Sequence, residues 1–181
     1  MDKALDLNGC AALVEQGDPV RFRAAMAAPV AARVVLFPLY AFNLEVSRAP
    51  WLTTESMIAE MRLQWWRDVL DEIAQGGIVR RHEVVTPLAH ALRPEIARDL
   101  DPLIEARRWD IYRDPHEDAA ALQAYLEDTG GRLMAAAARA LGDPSGAVAR
   151  DLGYATALAA YLRAVPELEA RGRIPLVDGR P

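Results

Sequence analysis

The sequence contains one cysteine, Cys10, in 181 residues. An internal disulfide is excluded, and a cysteine-based zinc site would lack ligands. Its three serines, Ser47, Ser56 and Ser145, sit outside any Gly-x-Ser-x-Gly elbow, which removes that route to nucleophilic hydrolysis. The three histidines, His82, His90 and His116, have no His-x-x-x-His spacing, so a histidine metal site is not indicated. There is no Gly-x-Gly-x-x-Gly and no P-loop, so nucleotide binding by those routes is not indicated either. Lysine is almost missing: Lys3 is one of 21 basic residues, and the rest are arginine. The formal charge of -5 and a pI near 5.3 argue against a dedicated nucleic-acid binder, which needs a basic surface. The first residues, Met1 to Asp6, carry no basic segment followed by an apolar core, so neither a secretory signal nor a mitochondrial presequence is expected.

What is present is a globular composition, with 52% hydrophobic and 26% charged residues. The length suits one domain, taken as residues 1–181. Abundant Ala, Leu, Arg and Glu favour helix, and no alternating strand pattern is visible. The expected fold is all-α, a multi-helix orthogonal bundle. The Ala- and Arg-heavy usage fits a GC-rich genome. The most apolar stretch, Ala24 to Phe42, contains Arg33, Pro29 and Pro38, which speaks for a buried helix rather than a membrane span.

Helix signals are frequent. Asp18-Pro19, Thr86-Pro87, Asp101-Pro102 and Asp143-Pro144 read as N-caps followed by proline at the first helical position. Gly76-Gly77 and Gly142 read as stops. A helix is predicted from Thr54 to Gln75, with Ile58, Met61, Trp65, Val69 and Ile73 on one apolar face, widened by Leu63, Trp66 and Leu70. A second is predicted from Asp118 to Leu141, with Leu122, Leu126, Leu133 and Met134 facing the core and close helix approach, a kink or a local break at Gly130-Gly131. A third runs from Ser145 to Ala164 and stops at Pro166, and a fourth, Pro29 to Ser47, bends or restarts at Pro38. Val84-Val85 is too short to establish a strand.

In a helical protein, Asp-x-x-x-Asp places two carboxylates on one face, where they can share Mg2+ ions bound to a diphosphate. No such pair on facing helices is found. Asp68 and Asp71 sit among Arg62 and Arg67 and read as solvated acids.

Several segments, in order and spacing, resemble the squalene/phytoene synthase family over about residues 21–176. They are Tyr40-Ala41-Phe42-Asn43-Leu44-Glu45, Met61-Arg62-Leu63-Gln64-Trp65-Trp66-Arg67-Asp68, Leu103-Ile104-Glu105-Ala106 with Asp110, Tyr125-Leu126 with Gly130-Gly131, and Leu152-Gly153-Tyr154-Ala155 through Gly172-Arg173. The resemblance implies the isoprenoid-synthase type of helical bundle, with further C-terminal helices missing. It places the two aspartates of the first metal motif at Ser47 and Trp51, and those of the second at Ala164 and Leu168. The amides that precede the second motif fall at Ala157 and Ala160.

With those acids replaced, little remains to hold the Mg2+ that assists departure of an allylic diphosphate. The pattern resembles a branch of the family that lacks the Asp-rich motifs and serves in assembly of respiratory complex I. The expectation is a non-catalytic protein without cofactor or metal. Its partners would be complex I subunits or a lipid-like ligand, and it would have no transmembrane segment, only peripheral membrane contact. A bacterial cytoplasmic location beside the inner membrane is expected. Tyr40, Phe42, Asn43, Glu45, Arg62, Trp65, Trp66 and Arg163 are the candidate cavity-lining or ligand-binding residues, with Arg163 the foremost anion binder. The alternative is an active Mg2+-dependent prenyltransferase with rearranged ligands drawn from Glu45, Asp68, Asp71, Asp110 and Glu167. If the chain is short for its family, the last helices should show uncovered apolar faces.

Overall fold

Strong helix formers, cap residues and apolar positions at three- and four-residue steps produce helix nearly throughout. A computed structural model describes residues 7–112 and 114–177. The reading made on Met1 to Asp6 lies outside the described residues. The helices are α1 (Asn8–Gly17), α2 (Pro19–Ala27), α3 (Val30–Arg48), α4 (Ser56–Ala74), α5 (Val85–Ala91), α6 (Pro94–Asp99), α7 (Asp101–Ala106), α8 (Trp109–Tyr112), α9 (Ala119–Leu126), α10 (Arg132–Ala140) and α11 (Ala147–Ala170). A 3-10 turn, Ala49–Trp51, extends α3, and a π-helical turn, Glu127–Gly131, joins α9 to α10. Among the described residues there is no strand.

The cap at Asp18 forms as read: its carboxylate accepts from the Arg21 backbone N–H at 2.9 Å. Three other caps shift. Asp101 lies inside α7, one residue past the N-cap Leu100, because its carboxylate instead accepts from Arg67 at 2.7 Å. Thr86 falls in the first turn of α5, and its hydroxyl oxygen accepts from the His82 N–H. Asp143 caps a turn through Ser145 N–H, and α11 starts later, at Ala147. The stops hold: Gly76 and Gly142 both take positive φ, at 67° and 110°.

α3 is the central element. It runs unbroken through Pro38, packs against α1, α2, α4, α5 and α10, and buries Leu36, Phe37, Leu39, Phe42 and Leu44. By length and composition it could cross a membrane, yet 56% of its apolar window is buried inside the bundle. Two clusters of buried residues form. The larger surrounds α3 and takes in Leu63, Trp66, Val69 and Leu70 of α4 with Leu88, Ile96, Leu103 and Leu133. The smaller holds Tyr125, Leu126 and Tyr161, with Trp109 and Leu168 against it.

Two readings of the sequence are corrected. α11 does not stop at Pro166 but continues to Ala170. Leu162, whose carbonyl loses its i+4 donor at Pro166, lies on an exposed stretch where water can replace the missing N–H. The first half of the α4 stripe is not core either, since Ile58 and Met61 are 38% and 66% exposed. Along the next helical segment, Gly130-Gly131 produces a π-helical turn rather than a break.

Candidate functional site

Two separate cavities lie on either side of α3. The larger, about 690 Å3, opens between α3 and α11 and is floored by α8 and α9. Ser47 and Trp51 reach it from α3 and the 3-10 turn, and Ala157, Ala160, Ala164 and Leu168 reach it from α11. The six positions that the resemblance assigns to metal-motif acids and amides therefore share one cavity. Small side chains on α11 leave it open, and close packing of α11 on the π-helical turn keeps that wall in place. A Cβ on Gly130 would sit 2.7 Å from the Gly153 carbonyl oxygen, so both positions need glycine at the crossing.

The floor is a buried polar network. Asp110 is 4% exposed. Its carboxylate accepts from Arg107 Nη1 at 3.2 Å and from the Tyr125 hydroxyl at 3.1 Å, while Arg107 Nη1 also donates to the Tyr125 oxygen at 2.7 Å. Arg173 donates to the backbone carbonyl of Asp110, and its guanidinium lies 5.0 Å from the Trp51 ring and 5.5 Å from the Trp109 ring. Burial raises the Asp110 pKa above the usual carboxylate range, against the pull of Arg107. Burial also raises Tyr125, and pushes Tyr161 up to about 12. His116 stacks on Trp109 with ring centroids 4.0 Å apart, and burial lowers its pKa.

The smaller cavity, about 450 Å3, is lined by Glu45, Leu52, Ile58, Met61, Arg62, Trp65, Trp66 and His82. Trp65 and Trp66 meet edge to face with centroids 4.8 Å apart, and Arg80 lies over Trp65 at 5.0 Å.

The eight candidate residues are thus divided. Asn43 lines the large cavity, and Glu45, Arg62, Trp65 and Trp66 line the small one. Phe42 lines neither; it is fully buried between them, edge to face with Trp66 at 5.4 Å. Tyr40 is buried, with its hydroxyl 3.9 Å from Met134 Sδ and Arg21 over its ring at 5.6 Å. Arg163 is exposed on α11 and lines neither cavity. The sequence reading missed Arg21, Arg48, Arg107, Trp109 and Tyr161, which line the large cavity. Their signal was weak. Arg48, a cation at the last turn of a helix, also reads as a simple dipole partner.

The donor set does not suit Mg2+, which needs several hard oxygen ligands. Of the acids considered as rearranged ligands, Asp110 and Glu167 reach the large cavity. Asp110 is already engaged by Arg107 and Tyr125, and Glu167 pairs with Arg171 at 2.6 Å. Glu45 lies in the other cavity, and Asp68 and Asp71 are exposed on α4. Among the described residues, no group of three or more His, Cys, Asp or Glu side chains could hold a metal ion.

The family described as squalene/phytoene synthase matches residues 14–177. The chain is similar to "NADH dehydrogenase (ubiquinone) complex I, assembly factor 6 homolog" of Drosophila melanogaster, 28% identical over 177 residues, covering 93% of this chain and 53% of that protein. It is also similar to "NADH dehydrogenase (ubiquinone) complex I, assembly factor 6" of Bos taurus, 25% identical over 170 residues, covering 91% and 51%. The chain spans about half the length of these curated relatives. No solved structure matches it at a significant level.

Proposed function

We propose that this chain, which belongs to the squalene/phytoene synthase family, is a non-catalytic member that acts in the assembly of respiratory complex I. One observation carries the reading. The positions to which the resemblance assigns the synthases' metal-binding acids line one cavity, and there it presents a hydroxyl, an indole and alkyl groups. Without carboxylates at those positions, a diphosphate leaving group has no firmly held Mg2+ to accept its charge, and ionisation loses its largest electrostatic assistance. The names of the relatives supply the assembly role. Complex I subunits are the partners under this reading. A bacterial cytoplasmic location with peripheral contact at the inner membrane goes with it, and neither a cofactor nor Mg2+ is required.

Two measurements test it. Deleting the gene in its source organism should reduce assembled complex I on a native gel, and the full chain should restore it. Normal assembly in the deletion strain removes the assembly role. Purified protein with Mg2+ and farnesyl diphosphate should release no pyrophosphate above a blank. Release of pyrophosphate with formation of a condensed prenyl product establishes the prenyltransferase instead.

A further inference from the structure

The smaller cavity, about 450 Å3, lies across α3 from the large one, and none of the metal-motif positions line it. Its lining holds one acid, Glu45, and one arginine, Arg62. Glu45 stands three residues past Phe42 on α3, and Arg62 four residues before Trp66 on α4. Each is therefore one helical turn from the Phe42–Trp66 contact, on the face turned toward the cavity. Among the described residues neither side chain has an ion pair, a hydrogen bond or a ring partner. Glu45 is half-buried, so its carboxylate has given up part of its hydration with no protein partner in exchange. The wall beside these charges is aromatic and held in place. Trp65 and Trp66 meet edge to face, Arg80 lies over Trp65, and Glu72 fixes Arg80. The His82 ring packs on both tryptophans, at 5.3 and 5.9 Å, and its Nδ1 accepts from the Val84 N–H at 3.1 Å. The proton of neutral His82 then sits on Nε2, a donor with no acceptor among the described residues. The mouth is apolar: Leu52, Ile58 and Met61 line it and are exposed, and exposed Met57 stands one turn before Met61.

We infer that this cavity is a membrane-docking site that takes the head of a zwitterionic phospholipid, its phosphate on Arg62 and its ammonium on Glu45, while Leu52, Met57, Ile58 and Met61 enter the bilayer around it. The charges select the head. A guanidinium matches a phosphate with parallel N–H donors, and His82 offers a further donor. An ammonium suits a carboxylate beside tryptophan rings, through charge and cation–π attraction. An anion alone would leave Glu45 without a partner, and a cation alone would leave Arg62 without one. A head carrying both charges satisfies both. The formal charge of -5 disfavours a strongly anionic surface, which also points to a neutral head. The rim selects the source. Exposed Leu, Ile and Met beside tryptophan suit the headgroup boundary of a bilayer, and a free zwitterion in water would not need them. The volume of about 450 Å3 falls within the usual range for small-ligand sites, about 300–1,000 Å3. The inference deepens the proposed peripheral membrane contact and stands apart from the complex I role.

The test titrates the full chain calorimetrically with dihexanoylphosphatidylcholine below its micelle concentration. Dihexanoylphosphatidylglycerol, which has the phosphate without the ammonium, and phosphocholine, which has the head without the chains, are run beside it. The phosphatidylcholine should bind, and each of the others should bind at least about tenfold more weakly. Glu45→Gln should weaken phosphatidylcholine at least about tenfold while tightening phosphatidylglycerol, a reversal of preference that a structural defect would not give. Arg62→Met should weaken both, and Arg163→Met neither. Flotation with phosphatidylcholine vesicles tests the rim. The parent should float, and Met57→Asp should not, while keeping its affinity for the soluble lipid. No binding of the soluble phosphatidylcholine, or unchanged binding by Glu45→Gln or Arg62→Met, overturns the inference. Phosphocholine binding as tightly as the lipid assigns the cavity to a free zwitterion and overturns the phospholipid. Phosphatidylglycerol binding as tightly as phosphatidylcholine overturns the zwitterionic head. Parent protein that does not float overturns the membrane contact. A dimer in sedimentation equilibrium that Met57→Asp dissociates assigns the rim to a second copy and overturns it too. Complex I assembly on a native gel is read separately in the deletion strain, so failure of the docking site and failure of the assembly role are distinguishable.

Discussion

Ser47, Trp51, Ala164 and Leu168 line the large cavity without a carboxylate among them. Each stands where the family resemblance expects an acid, and none can contribute a carboxylate to a metal. Charge at the site passes instead to arginine, and part of it is locked into the floor. Arg107 and Asp110 are an ion pair with a buried acid and a half-buried arginine, and removing the arginine strands the acid. Arg107→Met should therefore lower unfolding free energy by about 3–5 kcal/mol, read from urea denaturation. His116 sets a second test. Its folded pKa lies below the unfolded value of 6.5 because burial disfavours the imidazolium. The unfolded chain then binds more protons, so the contribution of His116 to stability is present above pH 6.5 and is lost as pH falls through the depressed value. The melting temperature should fall on acidification below pH 6.5, and His116→Phe should remove that part of the fall.

Among the elements, helices were the most legible feature of the sequence. α4 lies within two residues of its predicted ends because its apolar spacing and glycine stop agree. The sequence could not say what covers each apolar face. Met61 has the right period for core, yet it lines an open cavity, since periodicity names a face and not its neighbour. The candidate residues divided for the same reason. Asn43 and Glu45 are two apart in sequence, and on a helix that turns them toward opposite sides of α3. The shared cavity of Ser47, Ala157, Ala160 and Ala164 was placed by resemblance, whereas Arg48 came to light through contact with Gly17. The crossing of α11 on the π-helical turn yields a further test. A Cβ on Gly153 would meet Met134 Cβ at 2.8 Å, and Gly130 cannot withdraw without moving the turn. Gly153→Ala should gain about 1 kcal/mol in helix propensity and still be destabilised overall, by about 1–3 kcal/mol from overpacking. A stability equal to or above the parent in urea would show that the crossing has slack.

Across the whole molecule, burial is unevenly shared. α3 sends an almost continuous run from Leu36 to Leu44 into the larger core. α11, the longest helix, buries only Gly153 and Tyr161, and Val148, Leu152 and Leu162 are 81%, 57% and 53% exposed. The apolar outer face expected for the last helices is therefore present among the described residues. Helix stability in a domain comes mainly from tertiary packing of an apolar face, so the two helices should differ in how readily they open. Hydrogen exchange monitored by mass spectrometry should find the α3 amides exchanging last, near the limit set by global unfolding. The α11 amides should exchange through a partial opening of lower free energy. Equal protection of α3 and α11 in the free protein would mean that the π-turn crossing alone couples the two helices into one cooperative unit. The large cavity would then be a rigid feature rather than one whose outer wall moves.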